Sequence, residues 1–175
     1  MNKNLLIVGA GTYSLVAKEI AESMCCFDKI QFVDDQATVA SDGSAVFGKI
    51  DDIKRLSSDF SSVVVAIGNP DTRMRLLQKL ELEPTIQIVT LVSPYAYISS
   101  SAKIGKGCII EPKAVVHTGC VLGKGCFISA GAVINHISTL GDGVHVDCNA
   151  TVAGYMNVLP GTKVECGMVF QPPKG

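Results

Sequence analysis

The stretch that decides the fold runs from Ile98 to Phe170: ISSSAKIGKGCIIEPKAVVHTGCVLGKGCFISAGAVINHISTLGDGVHVDCNATVAGYMNVLPGTKVECGMVF. Steps of six from its first residue land on Ile98, Ile104, Ile110, Val116, Leu122, Ile128, Ile134, Leu140, Val146, Val152, Val158, Val164 and Phe170. All but the last are aliphatic. The residue two places earlier is usually small, as at Ala96, Ala102, Cys108, Ala114, Cys120, Cys126, Ala132, Ser138, Ala150 and Thr162. A period of six is neither the 3.6 of a helix nor the alternation of an isolated strand. It fits a solenoid in which each hexad forms one straight face and three faces close a triangular coil. The aliphatic side chain then fills the coil, and the small one packs beside it near a corner.

A three-hexad coil makes corner residues recur every eighteen positions. One column reads Gly107, Gly125, Gly143, Gly161, and a second reads Lys113, Gly131, Asn149, Gly167. These are largely residue types that tolerate positive φ. The third column reads Ser101, Gly119, Ile137, Tyr155, and its second half breaks the rule.

Upstream the pattern changes. Leu5-Leu6-Ile7-Val8 is a short apolar run followed by Gly9-Ala10-Gly11, then by apolar residues at helical spacing from Leu15 to Met24. Ile30-Gln31-Phe32-Val33 leads into Asp34-Asp35, and Val63 to Ile67 ends in Gly68-Asn69. Pro70 suits a helix start, and Ile86 to Val92 reads as a last strand. Strands alternating with helices predict a small Rossmann-like parallel sheet, with ligands at the carboxyl ends of its strands. Pro94 is the expected boundary, giving a domain over 1–94 and a repeat domain over 95–175. The glycine turn is a partial dinucleotide fingerprint, because Ser14 stands where its third glycine belongs. A tight strand-to-helix turn accounts for Gly9 and Gly11 equally well. The expected ligand contacts are Gly9, Gly11, Tyr13, Asp34, Asp35, Gly68, Asn69 and Arg73. A helix N-terminus, carboxylates and an arginine at one sheet edge suit a phosphorylated sugar.

Composition narrows the function. Lys+Arg number 15 against 16 Asp+Glu, for a net charge of −1 with no basic cluster, which argues against nucleic acid. No apolar run is long enough to span a bilayer, and the N-terminus leads into a strand instead of a secretory segment. Seven cysteines without paired metal spacing fit a reducing cytoplasm better than a disulfide framework.

His117, His136 and His145 all fall in the repeats. Eighteen residues after His136 is Gly154, stacked one coil away at about 4.8 Å. An imidazole beside an open backbone N–H is the minimum for acyl transfer: one group takes a proton and the other holds an oxyanion. His145 lies half a coil further on, so sharing a site with His136 needs a second copy of the prism, and a homotrimer supplies one. The third corner column, which forgoes small residues, points the same way.

With Gly9-Ala10-Gly11, Phe32-Val33-Asp34-Asp35, Ala66-Ile67-Gly68-Asn69, Arg73 and Gly131-Ala132-Val133-Ile134-Asn135-His136 in place, the chain resembles a family of bacterial sugar acetyltransferases. These join a nucleotide-sugar-binding α/β domain to a left-handed parallel β-helix of hexapeptide repeats. They include nucleotide amino-sugar N-acetyltransferases and sialic acid O-acetyltransferase-like proteins. The resemblance implies His136 as general base and Gly154 as the oxyanion amide. Acetyl-CoA is the implied co-substrate, contacted by His145, Gly154 and Met156, and no metal is needed. Two local departures stand out: Ile137 follows the base where the family commonly has an acidic residue, and Thr12-Tyr13 replaces a usual Gly-His. The family's β-helix also usually runs further than Phe170.

The leading expectation is therefore N-acetylation of a nucleotide-linked amino sugar, with sugar O-acetylation as the alternative. A zinc hydratase like the γ-type carbonic anhydrases would require the three histidines to converge. A sugar-nucleotide-binding trimer without catalysis is the remaining reading.

Overall fold

Leu5-Leu6-Ile7-Val8 lies in β1 (Asn4–Val8), and all four side chains are fully buried. That is the expected state of a parallel strand covered on both faces. β1 pairs in parallel with β2 (Lys29–Val33) and β3 (Ser62–Val65), and β3 pairs with β4 (Gln87–Ile88), in the order β2-β1-β3-β4. Helix α1 (Thr12–Ser23) connects β1 to β2, the short α2 (Ile53–Leu56) precedes β3, and α3 (Pro70–Glu81) precedes β4. Proline at the first position and Asn69 as N-cap start α3, with the Asn69 side chain accepting the Thr72 N–H at 2.9 Å. Leu6, Val8, Phe60, Val63, Val65, Leu77 and Leu80 belong to one core cluster. The computed structural model describes residues 3–171, and the chain divides between Leu91 and Val92 into two units.

The single strand expected over Ile86–Val92 is two. β4 ends at Ile88, and Leu91–Val92 pairs instead into a repeat sheet. Continuous apolarity hid the break, because both pieces bury side chains.

In the second unit the hexads form three parallel sheets. One holds the pairs beginning at Tyr97, Val115, Val133, Thr151 and Val169. The next holds those beginning at Lys103, Val121, Thr139 and Asn157. The third holds those at Leu91, Ile109, Phe127, His145 and Lys163. Partners are one coil apart throughout, as in Val133↔Thr151 and His145↔Lys163. The result is a left-handed parallel β-helix. Aliphatic residues at the six-residue step line its interior, with Ile110, Ile128, Ile134, Val146, Val152 and Val158 fully enclosed. Each such burial contributes about 1.5–3 kcal/mol. The small interior residues also bond: the Cys108, Cys120 and Cys126 thiols and the Ser138 hydroxyl donate to the carbonyls of Gly123, Asn135, Gly141 and Ala153 on the following coil.

All three corner columns use the left-handed backbone region. Gly119, Ile137 and Tyr155 have φ of 68°, 56° and 60°. The corner therefore keeps its geometry where its composition departs from glycine. A β-branched residue there is a strained outlier, and Ile137 directly follows His136.

Candidate active site

The strand Val133–Ile134 leaves its sheet through Asn135 and turns at the corner carrying His136 and Ile137. Asn135 Oδ1 accepts the backbone N–H of His136 at 2.9 Å and lies 2.7 Å from the ring Nδ1. One coil on, Tyr155 donates its N–H to the His136 carbonyl at 3.0 Å. The Tyr155 ring meets the imidazole edge-on, with centroids 5.0 Å apart. Gly154 directly precedes Tyr155 and packs against the same imidazole. A methyl group on its α-carbon would stand 3.0 Å from both Cε1 and Nε2 of His136. A side chain at this position would have to displace the ring, so glycine lets the imidazole lie this close to the next coil.

His145 begins a strand on a different face. Its Nε2 lies 3.0 Å from the hydroxyl of buried Ser129, and its ring packs edge-on against Phe127 at 5.9 Å. Asp147, two residues on, bonds the Cys148 N–H at 2.7 Å and pairs with Lys163 at 3.2 Å. Burial pushes the Asp147 carboxyl up, but that N–H, the Lys163 ammonium and the charge of His145 together hold it below its ordinary value. His117 is exposed, with Tyr97 as ring neighbour at 6.5 Å. The three histidines do not cluster: among the described residues no group of three or more His, Cys, Asp or Glu side chains is placed to hold a metal ion.

Met156, the third residue assigned to the co-substrate, is half-buried: its side chain packs against the interior cluster, and its N–H donates to Ser138 Oγ at 3.1 Å. It occupies the small-residue position of its hexad, which directs the side chain inward.

In the first unit the expected ligand residues gather at the strand ends, but several are engaged in holding the loops. Gly9 has φ 114° and donates its N–H to Val33, and a methyl on it would meet Ser14 Oγ at 2.9 Å. The Asp34 carboxylate accepts N–H bonds from Ala10, Gln36 and Ala37 at 2.8–3.0 Å. Asp35 accepts the Ile50 N–H at 3.0 Å. Arg73 is fully buried, and its Nη1 donates to the Ile67 and Gly68 carbonyls at 2.9 and 2.8 Å. Its guanidinium shapes the β3–α3 loop from within, where a phosphate clamp would have to reach the surface. Gly11 and Gly68 face open space, and Tyr13 on the first turn of α1 is partly exposed.

Sequence reasoning missed Asn135, Ser129 and Tyr155. Asn135 adjoins the histidine, and Tyr155 lies eighteen residues after Ile137. Ser129 lies two residues beyond Phe127, the coil partner of His145. Coil arithmetic applied to each histidine's neighbours would have found the last two.

Fold and site together define a hexapeptide-repeat protein with an α/β front domain. Residues 4–80 match the PglD N-terminal domain, and residues 101–136 match the bacterial transferase hexapeptide (six repeats). The chain carries matches to both domains in tandem. It is 30% identical over 112 residues to UDP-N-acetylbacillosamine N-acetyltransferase of Bacillus subtilis (strain 168), covering 62% of this chain. The chain spans about half of that curated relative, 51% of its length. The acetyltransferase domain of PglB from Neisseria gonorrhoeae FA1090, in complex with acetyl coenzyme A, superposes with a TM-score of 0.91 at 28% identity. That match covers 97% of this chain and 82% of the other. A mutant of perosamine N-acetyltransferase from Caulobacter crescentus, in complex with CoA and GDP-perosamine, shares the fold at TM-score 0.81 and 21% identity. Coverage there is 96% of this chain and 88% of that one.

Proposed function

We propose that the protein transfers the acetyl group of acetyl-CoA to the amino group of a nucleotide-linked amino sugar. The observation that carries this reading is the His136–Gly154 stack, an imidazole lying beside an open glycine. The relatives support it: one is named as an N-acetyltransferase of a nucleotide sugar, and another holds acetyl coenzyme A on the same fold.

In the proposed reaction the sugar amine attacks the thioester carbonyl. His136 takes the proton that the nitrogen loses, and the Gly154 N–H holds the oxyanion as the tetrahedral centre forms. Collapse breaks the carbon–sulfur bond, giving the amide and the coenzyme A thiolate, to which the proton can pass. His145, braced by Ser129, is assigned to the donor. Gly9, Gly11, Tyr13, Asp34, Asp35, Gly68 and Asn69 form or line the nucleotide-sugar site, with Arg73 as its internal support. His136 and His145 lie on different parts of the coil, so we read the working unit as a homotrimer whose sites form between subunits. Seven free cysteines fit a cytoplasmic setting.

The test is thiol release from acetyl-CoA with a panel of nucleotide-linked amino sugars, with mass spectrometry of the product. The expected result is a singly acetylated sugar nucleotide and at least about a hundredfold loss in His136→Ala, the scale of a lost general base. Acetylation at a hydroxyl of an acceptor lacking the amine would favour the O-transfer alternative. Near-normal turnover in His136→Ala would overturn the mechanism.

A further inference from the structure

We infer that Asn135 is a positioning residue that fixes His136 in the tautomer carrying its proton on Nδ1, leaving Nε2 as the proton-accepting atom. This deepens the proposed acyl transfer, and rests on that reading for its catalytic meaning.

The argument begins with one oxygen. The backbone N–H of His136 can only donate, and it points at the Asn135 side chain at 2.9 Å. The atom it meets is therefore the amide oxygen, because the amide nitrogen also only donates. That same oxygen lies 2.7 Å from Nδ1. An amide oxygen has no proton to give, so Nδ1 must be the donor. A neutral imidazole carries one proton, and its placement on Nδ1 leaves a lone pair on Nε2. Nε2 is the ring nitrogen on the Gly154 side, 3.0 Å from the position a methyl there would take. The Cε1–Nε2 edge of the ring thus lies against the glycine, and the Nε2 lone pair lies in the ring plane.

Asn135 is itself held in place. Its N–H donates to the Val152 carbonyl, and its carbonyl accepts the Cys120 thiol from inside the coil. The surroundings leave the role to it alone. Tyr155 packs on the ring from the following coil, Ile137 and Ser138 follow in the chain, and the nearest histidine in the stack is His117, beside Ile134. Among the described residues no carboxylate contacts the ring. The base is therefore oriented by a neutral amide.

The experiment is nitrogen NMR of the ring in the full chain, in wild type, Asn135→Asp and Asn135→Leu, with a pH titration of each. Because it needs no substrate, its outcome is independent of the transfer assay. In the wild type the neutral His136 ring should show a protonated Nδ1 and a bare Nε2. The aspartate variant keeps the acceptor, so it should keep that pattern while its titration midpoint moves to higher pH. Where activity is measured, its pH–rate profile should follow. The leucine variant should show mixed tautomers and lose turnover about tenfold or more through a lower kcat. Wild-type protonation on Nε2 would overturn the inference, as would an aspartate variant that titrates with the wild type. If Asn135→Leu fails to fold, the aspartate comparison decides alone. A wild-type ring with the expected tautomer but no acetyl transfer to any acceptor would leave the positioning intact and remove the acyltransfer reading.

Discussion

The imidazole of His136 rests on the α-carbon of Gly154 so closely that a single added methyl would stand 3.0 Å from its Nε2. This contact ties the proposed base to the proposed oxyanion amide through one missing side chain. Gly154→Ala retains the backbone N–H, so any loss must come from displacement of the ring. We expect turnover to fall about a hundredfold, the usual effect of a misplacement near 1 Å, with the fold preserved by circular dichroism. Unchanged kcat in a folded Gly154→Ala protein would separate the two residues functionally.

The corner that carries the site is also apolar and exposed: Ile137 and Tyr155 are 53% and 68% exposed in the single chain. If the site is completed by a second copy, these side chains are the natural contact. Sedimentation at micromolar concentration should give a trimer for the wild type and a shift to monomer for the Ile137→Asp, Tyr155→Asp double variant. A wild-type monomer would remove the shared site and the assembly together.

Arg73 offers a different measurement. Its buried guanidinium satisfies two carbonyls of the β3–α3 loop, and hydrogen bonds to charged groups contribute about 1.5–3 kcal/mol each. Arg73→Met should therefore lower the stability of the first unit by about 3 kcal/mol, read by denaturant unfolding. It should weaken nucleotide-sugar binding through loop disorder while leaving acetyl-CoA binding intact. Normal stability with selective loss of phosphate affinity would mean that the arginine reaches the ligand after all.

Much of this architecture is legible in the residues, for a simple reason. A six-residue period imposes the same environment thirteen times, so single exceptions do not obscure it. The His136–Gly154 neighbourhood follows from the eighteen-residue coil, because stacked strands keep strict register. What arithmetic cannot supply is the direction of a side chain. Met156 lies within the site segment, yet its hexad position turns it inward. Arg73 carries the charge that a phosphate wants, yet its helix aims it at carbonyls of its own loop. Asn135 was passed over because a neutral amide next to a histidine is visible as an orienting group only once the 2.7 Å contact is seen.

The last prediction concerns acid. Asp147 bridges the His145 strand to Lys163 on the next coil, and its carboxyl is held below its ordinary value of 3.8. A depressed carboxylate binds its proton less readily in the folded state than in the unfolded chain. Its contribution to stability is therefore complete above the ordinary value and is lost as pH falls through the lower, folded one. Lys163 is exposed, so solvent screening keeps its share of this effect small. Lys163→Met removes one of the groups that lower the carboxyl. The Asp147 titration, followed by carbon NMR, should move upward toward the ordinary value, and acid unfolding should begin at a higher pH than in the wild type. Both curves overlaying those of the wild type would mean that the Cys148 N–H and the His145 charge hold the carboxylate without Lys163.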